Sequence, residues 1–162
     1  DRVLQHKEAP QTPEPENVAP PAPISTPIEV IGNAARTAAH LEALDIEKLL
    51  RRLDGDEETL GQLAQAMRAD LASRQIDLRK ALTARDTPAA VAHAHGLKGS
   101  LGSMTAERGA RLAKGLELAA RAGDWHLFAR ALPLLQAEAR QIDLALSELL
   151  QARGRDLFDT RL

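Results

Sequence analysis

Phe128, Leu132, Leu135, Ala139, Ile142, Leu146 and Leu149 recur at alternating steps of four and three residues. A strand puts every second residue on one face. Only a helix gathers this series into one stripe, and the stripe must be buried against other helices. The repeat therefore demands one long helix with helical partners. Composition points the same way. With 44% hydrophobic but only 2% aromatic residues, the core has to be built from Leu, Ala, Ile and Val, which favours helices packed on helices over a sheet sandwich. Pro133, inside the repeat, is expected to kink this helix.

The same period runs back to residue 41. Asp45 is a candidate N-cap for a short helix with Ile46, Leu49, Leu50 and Leu53 on one face. Asp54 to Asp56 make a turn, after which Glu57 and Glu58 suit a helix N-terminus. The long helix that follows has Leu60, Leu63, Ala64, Met67, Leu71, Leu78 and Leu82 as its stripe. It should stop before Pro88, which fits the first turn of the next helix, capped by Asp86 or Thr87. That helix is expected to end near Thr105 or Ala106, and another begins around Glu107 with Leu112, Leu116 and Ala119 inward. Asp124 should cap the last helix after an Ala122–Asp124 turn. The expected fold is all-α: an antiparallel four-helix bundle over residues 41–152, with a short N-terminal helix covering one end.

Seven of the nine prolines fall between Pro10 and Pro27, a composition that favours extended polyproline conformations. Residues 1–33 are accordingly expected to be a Pro-rich linker behind a preceding domain, and residues 153–162 a C-terminal tail. The balance of 21 basic and 23 acidic residues supplies no basic field for nucleic acid. The absence of cysteine removes disulfides and thiolate metal sites and fits a reducing, cytoplasmic compartment. No apolar run is long enough to cross a bilayer, so no membrane contact is expected of this segment.

The stretch Ala92–Gly102 holds His93 and His95, then Gly96, Gly99 and Gly102. Each interior glycine costs a helix about 1 kcal/mol relative to alanine, so the run needs a reason. On a helical wheel Ala90, Ala94, Leu97, Leu101 and Met104 form the core stripe, and His95 lies about 140° from its centre. Its surface neighbours are Ala92, Lys98, Gly99 and Gly102. His95 is thus expected to point at solvent from a face cleared of side chains, open to a second body. An unprotonated imidazole there can accept a phosphoryl group, and Lys98 can steady its oxygens. His93 lies on a different side, so the two rings do not converge on a metal. His6, His40 and His126 read as ordinary surface histidines, and Trp125 as packing over the bundle end.

His95, Leu97, Lys98 and Gly99, continued by Ala106, Leu112, Leu116 and Glu117, resemble the signature of the histidine-containing phosphotransfer (HPt) domain. The resemblance extends upstream through Leu44–Met67 and covers about residues 41–152. It implies a phosphorelay carrier that accepts a phosphoryl group on His95 from a receiver-domain aspartate and passes it to another receiver. Lys98, Gly99, Gly102 and Ala92 then support the phosphoryl group or the docking partner. The resemblance implies no ATP site and no cofactor in the domain itself, with Mg²⁺ residing in the partner receiver. It is therefore not an enzyme by itself, and the sequence agrees in having no phosphate-cradling glycine loop. The Pro-rich stretch is similar to hybrid sensor histidine kinases, in which such a module hangs behind a receiver whose last helix Asp1–Leu4 would end. That places it on the cytoplasmic side, whether or not the parent kinase is anchored in an inner membrane. Thr105 stands where the family has Gly, and Gly109 where it has Leu, so the junction between these two helices is expected to be repacked. The competing reading is an unphosphorylated helical adaptor that docks a signalling partner through the same face.

Overall fold

The structure, a computed structural model, describes residues 25–36 and 43–159. These form α1 (Pro27–Arg36), α2 (Ile46–Arg52), α3 (Glu57–Ala84), α4 (Thr87–Ser103), α5 (Glu107–Arg121) and α6 (Trp125–Asp159). Aspartate carboxylates accept backbone N–H groups at four of the N-termini: Asp45 from Lys48 at 2.8 Å, Asp56 from Thr59 at 3.0 Å, Asp86 from Ala89 at 3.0 Å and Asp124 from Leu127 at 2.9 Å. Each cap satisfies a donor the helix cannot, and the two- to three-residue connections turn α4, α5 and α6 each back along the helix before it.

α3, α4, α5 and α6 pack in a ring, each on the next, and α6 closes on α3. Leu60, Leu71 and Leu78 of α3, Leu97 and Leu101 of α4, Leu112 and Leu116 of α5, and Phe128, Leu135, Ile142 and Leu146 of α6 fill the centre. The expected stripes hold with small exceptions: Leu63 is exposed, while Ile46, Leu50, Leu53, Leu82 and Leu149 are half-buried. α6 runs through Pro133 as one helix and continues to Asp159. The tail expected from residue 153 is therefore helix for seven more residues.

α2 is the covering helix. Lys48 pairs with Glu107 at 2.7 Å, and the Thr105 hydroxyl donates to the Asp45 carbonyl at 2.7 Å, tying α2 to the α4–α5 junction. Thr105 itself has φ +61°, the left-handed conformation that disfavours a β-branched residue. It stands there because α4 ends in a Schellman turn. Ala106 N–H donates to the Leu101 carbonyl at 2.9 Å and Thr105 N–H to the Gly102 carbonyl at 3.3 Å. At Gly109 a Cβ would lie 3.1 Å from Leu101 and 3.2 Å from Ile142, so the missing side chain lets α4 and α6 close on α5.

α1 departs from the linker expected over 1–33. Thr26 and Glu29 form a capping box: Thr26 N–H donates to Glu29 Oε2 at 2.9 Å and Glu29 N–H to Thr26 Oγ1 at 3.4 Å, with Pro27 at the first helical position. The helix packs on α5, burying Ile31 and Ala34, and Ile31 fills the space that a side chain at Gly115 would need. The Thr-Pro-Ile-Glu signal was visible in the sequence but sits at the end of the proline run, where composition masks it. The rest of that run, with Asp1–Leu4, lies outside the described residues.

Candidate functional site

Burial of Ala90, Ala94, Leu97 and Leu101 fixes the rotation of α4, and that rotation puts the His95 side chain 62% in solvent. Its Nδ1 lies 3.0 Å from Glu117 Oε1 on α5. Glu117 is nearly buried, at 8% side-chain exposure, and is also held by Lys98 Nζ at 2.8 Å and Arg121 Nη2 at 2.9 Å. Burial by itself would raise its pKa, but the hydrogen bonds from Lys98, Arg121 and His95 outweigh it and hold the carboxyl at about 2. Glu117 is therefore a carboxylate at neutral pH.

This charge decides which nitrogen of His95 keeps a free lone pair. An Nδ1 lone pair 3.0 Å from a carboxylate oxygen would be repelled, so the proton resides on Nδ1 and is donated to Glu117. Lys98 Nζ, 3.3 Å from the same nitrogen, is then a neighbour and not a hydrogen-bond donor to it. Nε2 keeps its lone pair and faces away from Glu117.

Around His95 the surface is cleared as expected at two glycines. A side chain at Gly99 or Gly102 would meet nothing within 4 Å, and Ala92 is exposed and small. Gly96 has a different reason: its open side is taken by the Arg74 guanidinium of α3. His93 turns away toward Asp77 of α3, 3.9 Å off. His126 is exposed in the first turn of α6, and Trp125 packs against Phe128 with ring centroids 5.5 Å apart. His6 and His40 lie outside the described residues. No group of three or more possible metal ligands occurs among the described residues, and no described helix is long and apolar enough to cross a membrane.

The sequence reading found His95 and Lys98 but gave Glu117 no role beyond ending the signature, and it missed Arg121 altogether. A charged residue inside the inward stripe of α5, with Arg121 one turn on, was the available signal.

A helical bundle that presents an oriented, solvent-facing imidazole beside a lysine has the chemistry to carry a group and pass it on. Residues 57–152 match the family model of the Hpt domain, and the chain belongs to that family. The fold is similar to the crystal structure of histidine-containing phosphotransfer protein B (HptB) from Pseudomonas aeruginosa PAO1, with a TM-score of 0.64 and 25% identity over 68% of this chain and 96% of that one. A search of curated proteins gave no significant match. The chain is an all-α phosphorelay carrier of two-component signalling, and the Hpt family works with receiver domains.

Proposed function

We propose that His95 is the phosphoacceptor and that Nε2 is the atom that carries the group. The observation that supports this is the Glu117 carboxylate on Nδ1. In the forward step the Nε2 lone pair forms a bond to phosphorus as the P–O bond to a receiver aspartate breaks, and the bonding pair leaves on that carboxylate. The Nδ1 proton stays on the ring, whose new positive charge Glu117 stabilises. The reverse step returns the group to a receiver. Lys98 offsets phosphoryl charge, while Ala92, Gly99 and Gly102 give the receiver room to approach. The domain needs no cofactor of its own, and Mg²⁺ serves the receiver.

The Pro-rich stretch ahead of the bundle supports a further reading, that residues 41–152 are the C-terminal module of a hybrid sensor histidine kinase and work in the cytoplasm. Phosphorylation by a receiver and its phosphodonor tests the site. His95→Gln should abolish acceptance while leaving the melting temperature nearly unchanged, because an exposed side chain contributes little to stability. Lys98→Ala should slow transfer without eliminating it, and His93→Gln should do neither. A dead His93 variant with an active His95 variant would refute the assignment.

A further inference from the structure

Gly96 follows the phosphoacceptor in the chain, yet it belongs to a different contact from Gly99 and Gly102. A Cβ there would meet the guanidinium of Arg74, with Cζ at 2.7 Å, Nη2 at 3.0 Å and Nη1 nearer still. The histidine helix thus forgoes a side chain so that this guanidinium can lie against its backbone. Arg74 is held from its other edge, where Nε donates to Asp70 Oδ1 at 2.7 Å one turn back on α3. Nη1 and Nη2, the prongs that bind phosphate oxygens in pairs, have no acceptor among the described residues. Lys98 and Arg121, by contrast, both hold Glu117.

Lys98 and Gly96 fall on opposite sides of His95, about 60° and 100° around the helix. Glu117 draws the Nδ1 edge of the ring toward α5, so the Nε2 edge points away from α5. We propose that Arg74 is a phosphoryl-binding residue whose Nη1–Nη2 edge contacts the non-bridging oxygens of the group on His95 Nε2, across from Lys98. The proposal rests on His95 being the phosphoacceptor. The N–P bond forms and the P–O bond breaks as described above, with Arg74 exchanging no proton.

The test uses the intact chain and a phosphorylated receiver. Arg74→Gln should slow transfer by about a hundredfold, the low end for losing one donor to a developing anion, and Arg74→Lys should recover part of it. In ¹⁵N-labelled parent protein, the Arg74 Nε–H signal, assigned by its absence from Arg74→Lys, should shift when His95 is phosphorylated. An unmoved signal overturns the proposal even if Arg74→Gln fails to fold. Slowed transfer with an unmoved signal assigns Arg74 to the receiver's surface instead, which also overturns it. Equal rates in parent and Arg74→Gln refute Arg74 alone, whereas a parent that never takes up phosphate refutes His95 and Arg74 together.

Discussion

Glu117 accepts the Nδ1 proton of His95 at 3.0 Å from a different helix, and it is nearly buried while the imidazole it orients is mostly in water. The imidazole is open to solvent, and the group that sets its tautomer is shielded from it. Glu117→Gln keeps an acceptor for Nδ1 but removes the charge. Hydrogen bonds to charged groups contribute about 1.5–3 kcal/mol, so transfer should slow by roughly tenfold to a hundredfold, measured as the rate of phosphohistidine formation from a phosphorylated receiver.

The same carboxylate makes stability depend on pH. Its folded pKa of about 2 lies below the ordinary 4.5, so the folded state binds its proton less tightly than the unfolded state. The stabilisation is complete above about pH 5 and is lost as pH falls toward 2. The gap corresponds to at most about 3 kcal/mol. Urea unfolding at pH 7 and pH 3 should show this loss in the parent and a smaller one in Glu117→Gln. Equal pH dependence would mean that the Lys98 and Arg121 contacts do not persist in solution.

Gly99 and Gly115 should respond in opposite directions to an added side chain. Gly99→Gln enters open space, so the better helix propensity should stabilise the fold by up to about 1 kcal/mol while obstructing a receiver and slowing transfer. Phosphoramidate, which needs no docking, should modify this variant as it does the parent. Strong destabilisation would place Gly99 in a packed interface.

Gly115→Val should expel Ile31, whose side chain occupies the space of the missing Cβ. α1 should then lose hydrogen-exchange protection while the His95 face still accepts phosphate. Ile31→Ala should cost about 2–4 kcal/mol if α1 unfolds together with the bundle. A negligible cost would show that α1 opens on its own.

Thr105 combines a strained backbone with a useful hydroxyl. Thr105→Val keeps the strain and the shape but loses the hydrogen bond to the Asp45 carbonyl, and should destabilise by about 1–2 kcal/mol. Thr105→Gly loses the same bond but relieves about 1–2 kcal/mol of left-handed strain, so it should be close to neutral. Chemical denaturation of the two variants separates the two contributions.

The four-three repeat of Phe128–Leu149, the stripes of α3 to α5 and the aspartates before α2, α4 and α6 were enough to read a helical bundle, because period and capping are properties of a single segment. The wheel of α4 likewise placed His95 in solvent and left Gly99 and Gly102 open, since one buried face determines the opposite one. Other features depend on which helix meets which. Glu117 reaches His95 from 22 residues away, Arg74 lies against Gly96, and Ile31 closes on Gly115 from a helix that its proline-rich surroundings concealed. Periodicity says which side of a helix is buried. The rotation and register with which two helices dock emerge only when all their side chains pack at once, and these set the tautomer of His95, the place of Arg74 and the seat of α1 on α5.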